Sequence, residues 1–390
     1  MYRMTRIGEI LKGLSRGGFD RLVEKREADK YTKGFNCWNH LVAMVYAQID
    51  GHQSLRDVET GFNSHVSHHY HLGCKTIKRS TLSDANRQRS SGLFVDVCEQ
   101  LMGQVNRKMR GELKTFLYLL DSTSITLKGL GYDDWTQKNS TRNTQGIKLH
   151  LLISATDAVP QYCNITNANV NDITDALNIE IKENAIYAFD KGYCDYNWWH
   201  KIDEKGATFV TRYKNNAALM VTEQRKIPVA DRESVLKDEL VKFKYKHPGG
   251  ARRNRYHKPL RRVEVARPDH ATPLVLATND LESSALEIAE IYKRRWLIEL
   301  FFKWIKQNLK IKKFLGRSEN AVKIQIYSAL ISYLLVALYR LTQGLKQSLK
   351  DTLVMIRSTL FHRPELDQYL IKKRKRSMKM QFDEYQNSLI

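Results

Sequence analysis

Cysteine is scarce in this 390-residue sequence, which contains five, at Cys37, Cys74, Cys98, Cys163 and Cys194. An odd number at scattered positions argues against the disulfide framework that stabilises small secreted domains. No two of them have the spacing of paired zinc ligands. We therefore expect reduced thiols and a cytoplasmic protein.

Acidic residues are also in deficit. The sequence has 42 Asp plus Glu against 64 Lys plus Arg, a formal net charge of +22. This excess predicts a polyanionic partner, and nucleic acid is favoured over an anionic membrane surface. We find no apolar run near the roughly 20 residues that span a bilayer and no signal peptide, so no membrane attachment is expected. The GxxxxGK[ST] loop is missing, so no ATP requirement is expected either.

The hydrophobic pattern divides the chain into regions. Residues 1–110 are predicted to be mostly helical. Apolar runs typical of strands follow at residues 115–127, 147–155, 161–166, 185–190 and 207–213. With helical segments before and after the fourth run, they predict an α/β layer. Residues 216–280 have the turns and alternation of a small basic β insertion, residues 281–345 are helical again, and a basic tail follows.

Residues 79–89 (RSTLSDANRQR) combine candidate N-cap residues with three arginines. A helix whose N-terminus points at a phosphate backbone has this composition, although an ordinary solvated helix has it too. The arginines expected to bind DNA are Arg79, Arg87 and Arg89 in this segment and Arg252 and Arg253 in the insertion.

A single glutamate, Glu299, lies in an apolar segment of residues 291–310 that otherwise carries lysines and arginines. On one continuous helix, Tyr292, Arg295, Glu299 and Lys306 share a polar stripe of roughly 60°, and apolar residues pack nearly all round it. A half-buried carboxylate needs a partner. It is either an i to i+4 ion pair with Arg295 or a metal ligand flanked by phosphate-binding groups, and the second interpretation accounts for all four residues.

Two further carboxylates follow apolar strand runs. Asp121 follows FLYLL, and Asp190 follows AIYAF. Carboxylates at two strand ends can converge with Glu299 at one edge of a sheet. Three carboxylates suit Mg²⁺ or Mn²⁺. Two such ions, about 4 Å apart, would serve an in-line phosphoryl displacement.

These motifs resemble a DDE-class transposase of the insertion sequence 4 family. That family carries a Tyr-x2-Arg-x3-Glu-x6-Lys signature, which Tyr292, Arg295, Glu299 and Lys306 match in spacing. The sequence also has DST at Asp121, GIKLH at residues 146–150 and DKGY at Asp190, with Lys191 where family members often have arginine.

The resemblance implies an α/β fold with a ribonuclease-H-like catalytic core, interrupted by a β-strand insertion and preceded by an all-helical domain. It implies that Asp121, Asp190 and Glu299 bind the metal ions, and that Tyr292, Arg295 and Lys306 contact phosphates near the terminal nucleotides. The implied parts are a DNA-end-binding domain (1–110), the core in two pieces (111–215 and 281–345), the insertion (216–280) and the tail (346–390).

Some relatives hold a flipped base on aromatic rings. Tyr193, Trp198 and Trp199 follow Asp190 and are candidates for this stacking, although core packing is the alternative. Lys191 and Tyr193, together with Trp198, are accordingly expected to contact DNA.

The expected function is transposition: binding the ends of an insertion sequence, cleaving DNA and joining the ends to target DNA. The expected partners are double-stranded DNA, as terminal inverted repeats and target, and a second copy of the chain in a homodimer on DNA. We expect the protein in the cytoplasm, and on the nucleoid when bound. A nuclease or resolvase on the same core, and an inactive DNA-binding descendant, are the alternatives.

Overall fold

The computed structural model describes residues 4–109, 116–139, 143–156, 158–247, 253–267, 270–309, 311 and 313–363. The helices in these ranges are α1 (Arg6–Leu11), α2 (Arg16–Lys25), α3 (Cys37–Asp50), α4 (Leu55–Asn63), α5 (Val66–Leu72), α6 (Arg79–Gln88), α7 (Gly92–Met109), α8 (Asp172–Ala176), α9 (Tyr196–Glu204), α10 (Ala285–Arg294), α11 (Trp296–Asn308), α12 (Glu319–Thr342) and α13 (Leu349–Ser358). Short 3₁₀ helices span Lys191–Tyr193 and Val229–Asp231.

The strands are β1 (Phe116–Thr126), β2 (Gln137–Asn139), β3 (Thr144–Ser154), β4 (Pro160–Asn167), β5 (Ala185–Phe189), β6 (Thr208–Arg212), β7 (Leu219–Gln224), β8 (Val235–Phe243), β9 (Leu260–Val265) and β10 (Leu274–Thr278). The protein is therefore mixed α/β, as expected, and all five strand runs predicted between residues 115 and 213 are confirmed.

The chain forms two compact units. The helical unit combines Met1–Leu101 with Ile305–Ile390, and the sheet unit is the contiguous segment Met102–Trp304. The two ends of the chain therefore contribute to one body. This arrangement differs from a linear succession of domains.

Helix α12 is the core of the helical unit, where it packs against α1, α3, α6 and α13. It has 24 residues and a mean hydropathy of 1.7 over its most apolar window, enough by length and composition to cross a membrane. The expectation that no such run exists was therefore wrong. Within the protein 94% of that window is buried, so packing against neighbouring helices accounts for its composition.

Capping residues define both ends of helix α3. The side chain of Asn36 accepts a hydrogen bond from the Asn39 N–H and caps the first turn. Gly51 ends the helix in the left-handed conformation, with φ of +84°. The helix is buried on almost every side, because α12 and α13 pack against it.

The sheet unit contains one mixed sheet with the order β2-β3-β1-β5-β6-β10-β9-β8-β7, and β4 pairs with the far side of β3. β3 is antiparallel to both β1 and β4, whereas β1, β5 and β6 run parallel. Gly146, the first residue of the GIKLH motif, lies where a side-chain Cβ would be 2.1 Å from the Ile125 carbonyl oxygen. This close backbone approach requires glycine.

Residues 216–280 contain strands, and these strands extend the same sheet through the antiparallel pairing of β10 with β6. Two arginines of this region do not form the free basic surface that its sequence suggests. Arg261 is 2% exposed and makes a bidentate ion pair with Asp238, with both N···O distances at 2.7 Å. Arg262 pairs with Glu239 on the same neighbouring strand, β8.

Candidate active site

Asp121 and Asp190 lie side by side on parallel strands. The β1–β5 pairing ends with Leu120 opposite Phe189, and each aspartate is the next residue. The prediction that Asp121 ends its strand was wrong, because β1 continues to Thr126 and pairs Asp121 with Leu151 of β3. What ends at Leu120 is the pairing with β5, and this brings the two carboxylates to one level of the sheet.

The segment that carries Glu299 consists of two helices. Tyr292 is on α10, Glu299 is on α11, and Arg295 lies at the junction. Here the Arg295 N–H bonds to the Tyr292 carbonyl at 3.0 Å, and the Ile298 N–H bonds to the Arg295 carbonyl at 3.2 Å. These i to i+3 bonds tighten the turn and interrupt the α-helical ladder, so the prediction of one continuous helix was wrong.

The surface of α11 is also less buried than predicted. Trp296 is 56% exposed, and Leu297 and Leu300 are exposed beside it, whereas Phe301 is buried. The sequence had suggested packing nearly all round. Trp296, directly after Arg295, is thus an accessible aromatic side chain that the sequence analysis did not identify.

Arg295 joins two of the three carboxylates. Its Nη2 is 2.7 Å from Glu299 Oε1, and its Nη1 is 3.3 Å from Asp121 Oδ2. The ion pair with Glu299 that the spacing allowed is therefore present. The same guanidinium also reaches Asp121 on β1, so an i to i+4 pair alone does not describe its role.

Arg212 holds the remaining carboxylate and was not predicted from the sequence. Its Nη2 donates to Asp190 Oδ1 at 2.5 Å, and the Lys191 N–H donates to the same oxygen at 2.7 Å. Ala188 is opposite Val210 in the parallel β5–β6 pairing, so Asp190 and Arg212 occupy matching positions two residues further on. An arginine at the end of a strand parallel to β5 was the available signal.

The environment moves the pKa values of the two aspartates in opposite directions. Burial raises the pKa of Asp121 to about 6; the Ser122 N–H bond and Arg295 oppose the rise, while the charges of Asp190 and Glu299 add to it. Burial also acts to raise the pKa of Asp190, but the hydrogen bonds from Arg212 and Lys191 and the charges of Arg212 and Arg295 hold it below its ordinary value. The carboxylates are therefore close enough to interact electrostatically.

The donor set fits a hard divalent cation. All three groups are carboxylates, which Mg²⁺ and Mn²⁺ prefer, and each is only partly buried. In the observed arrangement, no three Asp, Glu, His or Cys side chains among the described residues are grouped closely enough to hold a metal ion. Arg295 lies between Asp121 and Glu299, and its guanidinium stands in for the positive charge of a cation.

The other residues of the signature differ in their surroundings. Tyr292 is buried, its ring lies near the guanidinium groups of Arg295 and Arg212 (5.7 and 6.0 Å), and its hydroxyl has no hydrogen-bond partner among the described residues. Lys306 follows Glu299 by about two turns of α11 and is half-buried. Lys191 is exposed in the 3₁₀ helix after Asp190.

The stacking prediction for Tyr193 and Trp198 was wrong on this geometry. Both side chains are 1% exposed and pack with Phe189 in the core of the sheet unit, and Trp199 is fully buried there. A base cannot stack on rings that are buried inside the core. The aromatic residues after Asp190 hold α9 against the sheet.

The arginines predicted to bind DNA fall into three groups. Arg79 and Arg87 are exposed on α6; no Ser or Thr side chain caps this helix, and the Arg79 N–H bonds to the Glu59 carboxylate at 3.1 Å. The Arg89 guanidinium instead bonds to the Phe35 carbonyl and lies over its ring, which indicates a structural role. Arg253 is exposed, and Arg252 lies outside the described residues.

A protein-family model described as "Transposase DDE domain" matches residues 115–335, more than half of the chain. The chain belongs to the DDE transposases. A second model, a domain of unknown function (DUF4372), matches residues 3–75. Members of the DDE family cleave DNA and transfer its strands, generally with divalent metal ions, on a ribonuclease-H-like fold.

Curated relatives carry the same description. A Sinorhizobium fredii protein named as a transposase, y4zB, is 40% identical over 73% of this chain and 78% of its own length. A Synechocystis protein named as a transposase for insertion sequence element IS4SA is 27% identical over 68% and 72%. A Geobacillus stearothermophilus protein named as a transposase for IS5377 is 25% identical over 66% of each chain. The resemblance inferred from the signature residues is thus confirmed at the level of the family.

Proposed function

We propose that this DDE transposase binds the ends of an insertion sequence, cleaves the DNA there and joins those ends to target DNA. The observation that carries the proposal is the grouping of Asp121 and Asp190 on neighbouring parallel strands, with Glu299 linked to Asp121 through Arg295. All three carboxylates are intact, which favours an active enzyme over an inactive DNA-binding descendant.

In this proposal Asp121, Asp190 and Glu299 would hold two Mg²⁺ or Mn²⁺ ions, by analogy with other two-metal phosphoryl transferases. A metal bound there would supply Lewis-acid stabilisation of the phosphoryl group and would lower the pKa of an attacking water or hydroxyl. Arg212 and the Lys191 N–H fix Oδ1 of Asp190. Arg295 releases one or both of its carboxylates and becomes available to a phosphate, for which a guanidinium is well suited.

The DNA would lie across the exposed cations and aromatic groups near these carboxylates. We propose that Tyr292, Arg295 and Lys306 contact phosphates near the terminal nucleotides, with Lys191 and Arg253 along the same DNA. Trp296 replaces Tyr193 and Trp198 as the aromatic candidate for contact with DNA, because its ring is accessible. The net charge of +22 supports binding to a phosphate backbone.

The finer organisation is also a proposal. Residues 1–110 would bind the internal part of each end. Residues 111–215 and the part of residues 281–345 that precedes residue 305 would form the ribonuclease-H-like core, with residues 216–280 as the insertion, because residues 305–390 belong to the helical unit. The basic tail predicted at residues 346–390 contributes α13 to that unit. We further propose a homodimer on DNA, with terminal inverted repeats and target as its DNA partners. A transposase of this kind acts in the cytoplasm and on the nucleoid, without ATP.

A strand-transfer assay tests the function. The protein is incubated with Mg²⁺, a labelled duplex carrying the inverted repeat that flanks its own gene, and a supercoiled target plasmid. We expect cleavage at the repeat boundary and labelled ends covalently joined to the plasmid. Cleavage without any joined product would support the nuclease alternative, and neither product would support the inactive descendant.

End binding by the helical N-terminal region gives a separate expected result. Because Arg79 and Arg87 are exposed on α6, replacing both by alanine should remove about two phosphate contacts. The slope of log affinity against log salt should then fall by roughly two units. Fluorescence anisotropy with repeat and random DNA measures this change.

Arg16 provides the matched control, because it is an exposed arginine on α2 that pairs with Asp20. We expect Arg16→Ala to leave the slope unchanged. If the Arg79→Ala/Arg87→Ala variant and the unaltered protein have the same slope of log affinity against log salt, α6 does not bind the phosphate backbone of the DNA.

A further inference from the structure

A second cluster of charged side chains lies buried in the sheet unit, outside the proposed metal ligands. Lys148 and His150 on β3 are buried, as is Asp175 on α8, and Asp172 at the start of α8 is nearly so. Lys148 Nζ is 3.1 Å from Asp172 Oδ1 and also donates to the Val170 carbonyl at 2.7 Å. The lysine is thereby fixed between a carboxylate and a backbone oxygen.

Asp172 connects this cluster to the strand that carries Asp121. The Ser122 hydroxyl donates to Asp172 Oδ1 at 2.8 Å. The Ser122 N–H donates to Asp121 Oδ1, also at 2.8 Å. One residue thus bonds both to the cluster and to a proposed metal ligand.

Asp172 also faces the turn that follows Asp190. A Cβ added to Gly192 would lie 3.5 Å from Asp172 Oδ2, and Gly192 is part of the 3₁₀ helix Lys191–Tyr193. The carboxylate therefore lies between the residue after Asp121 and the turn after Asp190. The position of Asp172 can therefore affect the distance between Asp121 and Asp190.

Stability alone is a poor reason for such a cluster. Taking an ammonium and a carboxylate out of water costs several kcal/mol per ion, and apolar replacements of buried pairs are often neutral or stabilising. Hydrogen-bonded groups behind metal ligands, by contrast, orient those ligands, and their loss typically lowers metal affinity by about 10- to 100-fold. This cluster is of the second kind, because it lies directly behind a proposed metal ligand, Asp121.

We propose that Asp172, held by Lys148, is a positioning residue that fixes Ser122 through its hydroxyl, next to the Gly192 turn, and thereby sets the geometry of Asp121 relative to Asp190. This inference rests on the proposed function, in which these two aspartates bind metal. Asp172 itself acts through Ser122 and does not touch the DNA or the ions.

The test uses Ser122→Ala in the full-length protein without DNA. This change removes the hydroxyl bond to Asp172 and keeps the backbone N–H bond to Asp121. Mn²⁺ affinity, measured by electron paramagnetic resonance, should fall by about 10-fold. Asp172→Asn should lower it similarly, and the double variant should be no worse than Asp172→Asn alone, because both changes break one link.

Ser283→Ala is the matched control, since the Ser283 hydroxyl makes the same kind of bond to Asp280, at 2.6 Å, elsewhere in the sheet unit. It should leave Mn²⁺ affinity unchanged. If Ser122→Ala and Ser283→Ala lower the melting temperature alike and neither alters Mn²⁺ affinity, the cluster is merely structural and the inference is overturned.

Asp121→Asn separates this failure from a failure of the proposed function. If Asp121→Asn loses Mn²⁺ binding and Ser122→Ala does not, the metal site stands and only the positioning role of Asp172 is refuted. If Asp121→Asn binds Mn²⁺ like the unaltered protein, the proposed metal site and the inference fall together.

Discussion

Asp121→Asn, Asp190→Asn and Glu299→Gln should each reduce DNA cleavage by at least about 10³-fold, equivalent to about 4 kcal/mol of transition-state stabilisation. Each change removes a charged oxygen ligand while keeping the size of the side chain, and metal-assisted phosphoryl transfer depends on that charge. Affinity for end DNA should be retained, because binding depends on cations distributed over a protein of net charge +22. Gel assays of cleavage and binding on the same duplex measure both effects.

Glu290→Gln is the control for this series. Glu290 lies on α10, pairs with Lys293 at the exposed surface and is not among the proposed ligands. The Glu290→Gln variant should cleave DNA at the normal rate. Normal cleavage by any one of the three carboxylate variants would remove that residue from the proposed metal site.

The second large effect concerns stability without metal. Because the pKa of Asp121 is raised from 3.8 to about 6, the folded protein binds more protons than the unfolded chain between these pH values. The free energy of unfolding therefore falls as pH rises through this window. Asp121→Asn removes the charge, so it should be more stable than the unaltered protein at pH 7.5, by about 1–3 kcal/mol, and equally stable below about pH 4.

Thermal melting in EDTA at pH 4, 5, 6 and 7.5 measures this difference. Arg295→Ala should have the opposite effect at pH 7.5, because Asp121 and Glu299 lose the cation between them. In the Asp121→Asn background the loss caused by Arg295→Ala should be smaller. An Asp121→Asn protein that melts below the unaltered one at pH 7.5 would contradict the raised pKa.

The three carboxylates of the proposed site could be predicted from the sequence because each stands out locally. Asp121 and Asp190 follow apolar strand runs, and Glu299 is the only acid in its segment. Spacing within residues 291–310 also indicated that Tyr292 and Arg295 lie near Glu299. These signals require no knowledge of which strands are neighbours.

Arg212 was missed because its role depends on strand order. Only the parallel pairing of β5 with β6 brings it level with Asp190. The same limit explains Arg261 and Arg262, whose carboxylate partners come from the register of β8 against β9. Charge in a sequence does not reveal which cations are already paired.

Aromatic residues were misassigned for a different reason. Trp198 and Trp296 both lie close in sequence to a carboxylate of the site, yet one is buried and the other exposed. Trp198 faces the sheet from α9. Trp296 lies where the break after α10 turns a large side chain outward, and helical periodicity cannot anticipate that break.

The division of the chain has a consequence for its synthesis. The sheet unit is contiguous, so it can complete its folding as soon as residue 304 has left the ribosome. The helices before residue 102 lack α12, the centre of their own core, until some 240 further residues have been made, roughly 12–48 s at ordinary elongation rates. During that interval the apolar residues of α3 lack their main packing partner, so the helices before residue 102 complete their folding only after the sheet unit.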